Sequence, residues 1–165
     1  MPAVHFPVTV RTLAHADLAT CAWSGGPGHL DAVAAKLGRD DFDYLAVCPP
    51  SGLPVAIGGV DFVPRPGAGE ITQLAVHPAL QSCGLGTILI RALEDAILRR
   101  DLSVAELGVE TINPRARALY ERLGYLAFDT VRTGWDQRDE HGVVYRYETD
   151  CVKMRRHLTS SSPNT

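Results

Sequence analysis

A chain of 165 residues is enough for one domain that buries a single core, and two domains are not expected. Apolar residues make up 45% and charged residues 21% of it, near the averages of soluble globular proteins, which excludes a disordered or fibrous chain. The 16 basic and 19 acidic side chains leave a net charge of -3 with no long basic run, which argues against duplex nucleic acid as a partner and suits a cationic small substrate.

The first strand is expected over Val8 to Thr12, followed by a weakly helical stretch from Ala14 to Trp23 and a loop at Ser24-Gly25-Gly26-Pro27-Gly28. Leu30, Val33, Ala34 and Leu37 then follow the i, i+3, i+4, i+7 spacing of an amphipathic helix that stops at Gly38. Tyr44 to Cys48 and Val55 to Val63 are β-rich runs joined by Pro49-Pro50-Ser51-Gly52, which predicts an antiparallel pair. Pro64 to Gly69 turns the chain into a further strand, Glu70 to Val76.

From Leu85 to Ile97 the apolar positions trace the best helical pattern in the chain, and Arg99 and Arg100 suit its C-terminus electrostatically. Val104 to Thr111 is the next strand, after which Asn113-Pro114 offers an N-cap and a proline at the first helical position. Ala116, Leu119, Tyr120 and Leu123 line that helix's apolar face, and Gly124 fits a left-handed cap. Tyr125 to Trp135 and Val143 to Met154 flank a polar turn, Asp136 to Gly142, and predict a closing hairpin. Residues 1–158 should form the single domain and 159–165 a flexible tail. The element order predicts an α/β (α+β) domain around one mixed sheet.

The longest unbroken apolar run, Tyr44 to Cys48, is five residues, far short of the roughly 20 that a membrane helix needs, and Met1 to Val10 lacks a signal-peptide layout. A cytoplasmic protein with no membrane partner is expected. Cys21, Cys48, Cys83 and Cys151 stand 27, 35 and 68 residues apart, so none forms a CxxC pair, and free, mostly buried thiols without a metal are expected.

The chemistry concentrates where Leu74-Ala75-Val76-His77-Pro78-Ala79-Leu80-Gln81-Ser82-Cys83-Gly84-Leu85-Gly86-Thr87 joins a strand to the long helix. Gly84 and Gly86 let the backbone approach an anion, while unpaired amides and the helix dipole supply positive charge without a lysine. A phosphate-binding P-loop would need Gly-Lys-Ser/Thr here, and a dinucleotide GxGxxG has Leu89 where its third glycine belongs. Packing alone also produces strand-glycine-helix turns, so the loop by itself does not decide between the two.

Residues 70–125 resemble the GNAT superfamily of acetyl-CoA-dependent N-acetyltransferases, through Val76-x-Pro78, Gln81-x-x-Gly84-x-Gly86 and Asn113-x-x-Ala116-x-x-x-Tyr120-x-x-x-Gly124-Tyr125. The resemblance implies a mostly antiparallel sheet with a splayed parallel strand pair, flanked by helices, and acetyl-CoA as co-substrate. It implies that amides around Gln81, Ser82, Cys83, Gly84, Leu85, Gly86 and Thr87 hold the pyrophosphate, that pantetheine runs beside Leu74, Ala75 and Val76, and that Asn113 touches the cofactor. Ser82 and Cys83 stand where glycine and a basic residue are common in the family.

By the same resemblance Tyr120 is the general acid, since a phenol of pKa about 10 is protonated at neutral pH; periodicity alone makes it a core aromatic. An attacking amine must lose a proton, and Glu70, 11 residues before Gln81, matches the family's glutamate base, with Glu110, Glu148 and Asp150 as further carboxylates. The implied reaction is direct transfer of acetyl to a primary amine of a small molecule or protein N-terminus, with no acyl-enzyme on Cys83 and with homodimers common in the family. The competing class is a non-catalytic acyl-CoA-binding module of the same fold.

Overall fold

The computed structural model describes residues 5–26 and 28–160. Pro27 of the expected loop and residues 161–165 of the expected tail lie outside the described residues. Seven strands form one sheet: β1 (Thr9–Thr12), β2 (Phe42–Cys48), β3 (Ala56–Asp61), β4 (Gly69–Val76), β5 (Val104–Glu110), β6 (Leu126–Arg138) and β7 (Val144–His157). Their order is β1-β2-β3-β4-β5-β7-β6, antiparallel throughout except for β4 and β5. Among the described residues three α-helices accompany them, α1 (His29–Lys36), α2 (Leu85–Leu98) and α3 (Pro114–Arg122). This is the α/β (α+β) mixed sheet that the sequence predicts.

Strand alternation divides the core between the two faces of the sheet. On one face Leu89, Ile90, Leu93 and Ile97 of α2 pack onto Val47, Val60, Ile71, Leu107 and Met154, with α3 adding Ala116, Leu119 and Tyr120. On the other face Val33 of α1 packs with Leu13 and Cys21 onto Tyr44, Ala46, Cys48 and Ile57. A β-carbon at Gly69 would stand 2.6 Å from Ile97 and 2.7 Å from Val60, so glycine there lets α2 lie close to the sheet.

Five expectations change in detail. The Ala14–Trp23 stretch forms two 3-10 turns, His15–Thr20 and Ala22–Ser24, instead of an α-helix. The Asp17 carboxylate accepts from the Ala14 N–H at 2.8 Å while receiving both Arg11 Nη atoms at 2.7 and 2.8 Å, which tightens the turn against β1. Leu37 caps α1 in extended backbone instead of extending it. The second strand of the first pair is shorter than Val55–Val63, whereas the closing hairpin is longer and leaves only residues 139–143 to turn. Tyr125 precedes β6: its N–H donates to the Tyr120 carbonyl at 3.0 Å behind left-handed Gly124 (φ 96).

Past β7, buried Leu158 donates its N–H to the Ser103 carbonyl at 2.7 Å. Among the described residues no helix is long and apolar enough to cross a membrane. Cys21, Cys48 and Cys151 are buried and Cys83 is exposed, all four as free thiols.

Candidate active site

β4 and β5 pair in parallel only through Gly69↔Ala105, Glu70↔Glu106 and Ile71↔Leu107. β4 remains bonded to β3 as far as Ala56↔Val76. The two strands part because β4 carries a bulge: Thr72 faces Gly59 and Ala75 faces Ile57, so Gln73 and Leu74 together oppose Gly58. Gln73 sits in left-handed backbone at φ 54, and such an insertion bends a strand and raises its twist. From residue 72 onward β4 therefore turns an unbonded edge toward β5, with main-chain groups free for an extended ligand. Leu74 and Val76 pack toward α2 and Ala75 toward the opposite face, which leaves the backbone to line the opening.

Beyond β4 the chain turns through Pro78–Leu80, where the His77 imidazole accepts from the Ala79 N–H at 3.2 Å and lies 5.4 Å from the Trp23 ring. Gln81 donates its side-chain amide back to the Val76 carbonyl at 3.4 Å. Ser82 (φ 63) and Gly84 (φ 86) take left-handed backbone, and the first intrahelical bond of α2 runs from the Ile88 N–H to the Gly84 carbonyl at 3.1 Å. The N–H groups of Leu85, Gly86 and Thr87 are thus left without helical acceptors, at the positive end of the helix dipole. A β-carbon on Gly86 would meet only Leu119 and Val76 side-chain atoms, at 3.7 and 3.8 Å, so the glycine is not required by internal packing.

A basic group does reach this loop, from α3. The Arg115 guanidinium donates to the Ser82 hydroxyl, standing over the exposed loop that lacks a lysine or arginine of its own. Linear motif reading missed Arg115 because the contact joins residues 33 apart. Asn113 serves as the expected cap, its Oδ1 accepting from the Ala116 N–H at 3.1 Å. Its amide nitrogen remains available to a ligand.

Tyr120 projects from α3 into the same region, partly buried and 6.3 Å edge-on from the Tyr125 ring. Burial pushes its phenol above the ordinary value near 10. The group therefore holds its proton at neutral pH.

Glu70 lies on the other face, where three carboxylates share strand parity: Glu70 on β4, and Glu106 and Glu110 on β5. Glu70 lies 3.3 Å from Lys153 Nζ. Glu106, almost fully buried, takes Arg65 at 2.7 Å and Arg155 at 3.0 Å. Glu110 accepts from the Tyr147 hydroxyl at 2.7 Å. The other two carboxylates, Glu148 and Asp150, project from β7 to the opposite side and pair with Arg132 at 3.8 and 3.3 Å. The structure thus brings Tyr120, the 81–87 loop and the β4 edge to one side of the cleft and Glu70 and Glu110 to the other.

A model of the acetyltransferase (GNAT) family matches residues 15–125. The mycothiol acetyltransferase of Beutenbergia cavernae is 44% identical over 63 residues, covering 38% of this chain and 21% of that protein. That of Paenarthrobacter aurescens is 32% identical over 108 residues, 66% of this chain and 30% of that protein. The chain therefore spans less than a third of the length of these curated relatives. Among solved structures, the ribosomal-protein-alanine N-acetyltransferase from Escherichia coli superposes with a TM-score of 0.72 at 22% identity, covering 96% of this chain and 99% of that one. An IAA acetyltransferase from Bacillus cereus gives 0.70 at 18% identity, covering 92% and 100%, and spermidine/spermine N-acetyltransferase from Vibrio cholerae gives 0.65 at 20%, covering 91% and 92%. At such identities the structural likeness speaks for the fold.

Proposed function

Since the chain belongs to the acetyltransferase (GNAT) family, we propose that it transfers an acetyl group from acetyl-CoA directly to a primary amine of a small molecule or protein N-terminus. The observation that carries this reading is the opening between β4 and β5 beside a loop of unsatisfied amides. The residues present fit coenzyme A. The N–H groups of Leu85, Gly86 and Thr87, with Arg115, would hold the pyrophosphate, and Gly84 and Gly86 leave room for close approach. The unbonded main-chain edge over Leu74, Ala75 and Val76 would pair with pantetheine, and Asn113 would add its free amide.

Bound acetyl-CoA supplies an acyl thioester, activated for attack by a neutral amine. Tyr120 would give its proton to the departing sulfur, for which a protonated phenol in a partly dry setting is suited. Glu70, at the closed end of the cleft, would receive a proton through water. Cys83 is not asked to carry the acyl group: it is exposed and its thiol contacts only the Gln81 carbonyl, at 3.7 Å. The proposal extends to a cytoplasmic enzyme that pairs as a homodimer.

Calorimetric titration of the purified protein with acetyl-CoA, with NAD and ATP at matched concentration, tests the reading. Selective binding of acetyl-CoA followed by turnover with an amine is the expected result. Binding without any turnover would favour a sensing module, and no binding would remove the cofactor reading of Gly84 and Gly86.

A further inference from the structure

Of the three carboxylates that β4 and β5 turn to the face away from α2, two already have cations. Glu106 is enclosed by Arg65 and Arg155 and Glu70 by Lys153. Glu110 has no cationic partner among the described residues; its one side-chain contact is the neutral Tyr147 hydroxyl at 2.7 Å. It is therefore the one of these three still lacking a positive charge among the described residues.

Its level along the strands also differs from that of Glu70. The parallel register pairs Glu70 with Glu106 and Ile71 with Leu107, and the same offset carried onward sets Glu110 level with Leu74, in the bulge where the strands have parted. Glu70 lies four residues lower, about 13 Å at 3.3 Å per residue, where β4 and β5 are still bonded. Tyr147 packs 5.0 Å from Trp135, whose side is open to solvent. A carboxylate held by one aromatic hydroxyl, with a second ring packed on that residue, is a setting that attracts an ammonium group.

We propose that Glu110, held by Tyr147 with Trp135 packed on that tyrosine, is where a protonated primary amine docks and gives up its proton, Glu70 acting only behind it through water. This rests on the reading that acetyl-CoA is the donor. The ammonium proton passes to a Glu110 oxygen, and the freed lone pair forms the N–C bond to the acetyl carbonyl carbon as the C–S bond breaks. The sulfur keeps that electron pair and takes the Tyr120 hydroxyl proton. The second proton lost by nitrogen restores the phenol through water, and Glu110 releases its own to solvent, so the products are one amide, one thiol and one proton.

The test uses the full chain, acetyl-CoA, and a panel of spermidine, an alanine-terminated peptide and glucosamine, taking the best acceptor forward. Glu110→Gln should lower kcat/KM for the amine about a hundredfold while leaving acetyl-CoA affinity as in the unmodified protein. Glu110→Asp should recover part of that loss. Tyr147→Phe and Trp135→Ala should raise the amine KM several-fold with smaller change in kcat, and Glu70→Gln should cost less than Glu110→Gln. If Glu110→Gln keeps full kcat/KM, or loses acetyl-CoA affinity along with transfer, the assignment to Glu110 fails while the donor reading stands. If the unmodified protein binds no acetyl-CoA or acetylates none of the panel, both fall together.

Discussion

The Tyr125 hydroxyl donates to Glu94 Oε1 at 2.9 Å inside the core. The same carboxylate receives Arg91 at 2.9 Å and Arg156 at 2.8 Å, so one buried group ties α2 to Tyr125, between α3 and β6, and to β7. Removing one member strands the others, because a buried polar group without its partner carries its full desolvation cost. Glu94→Ala should destabilise the fold by about 2 kcal/mol, the partly exposed arginines moderating the loss. Chemical denaturation should show a lower midpoint with an unchanged slope.

On the proposed reading Tyr120 bears on chemistry more than on stability. Its hydroxyl donates no hydrogen bond to a described residue, so Tyr120→Phe should leave the denaturation midpoint nearly unchanged and acetyl-CoA affinity intact. Turnover should fall by roughly 10²- to 10⁴-fold. Burial raises the phenol above its ordinary value, so the acid form survives to higher pH and the alkaline loss of kcat should come above pH ~10. Steady-state rates across pH would check both; full turnover in Tyr120→Phe would remove its role as acid.

Arg115 supplies the charge that the 81–87 loop lacks. Arg115→Ala should weaken acetyl-CoA binding several-fold and reduce its sensitivity to added salt, since an exposed ionic contact is screened. Gly86→Asp should weaken binding more strongly: the protein itself has room for a β-carbon there, so the loss would reflect crowding and negative charge at the proposed anion site. Calorimetric affinities at two salt concentrations would separate the effects.

Asp17 carries a pH dependence of stability. Hydrogen bonding from Arg11, helped by the Ala14 N–H, holds its carboxyl below the ordinary value of 3.8. A depressed folded-state pKa contributes stability that is present above the unfolded pKa and lost as pH falls through the folded one. Asp17→Asn should therefore cost about 1 kcal/mol at pH 7, Arg11 being partly exposed, and the difference should shrink as pH falls below 3.8 through the depressed folded-state value. Paired denaturation curves at several pH values would show this convergence.

Local chemistry made most of the fold legible in the chain. The apolar spacing of α2, the Asn113-Pro114 start and Gly124 end of α3, and the hairpin strands follow from interactions within a few residues, and they emerge nearly where expected. The His15–Thr20 region departs because a side-chain carboxylate competes with helical hydrogen bonding. The loop glycines and Tyr120 were legible too, because their residue types and spacing lie in contiguous segments.

Long-range register decided the rest. The Gln73 bulge that parts β4 from β5 depends on pairing with β3, and no local propensity encodes it. The meeting of Arg115 with Ser82, and of Glu110 with Tyr147 37 residues away, likewise exists only once α3 and β7 are docked. Sequence alone thus determined which groups could handle an anion or a proton. Tertiary packing determined which carboxylates were neutralised by arginine and lysine and which one stood open at the level of the parted strands.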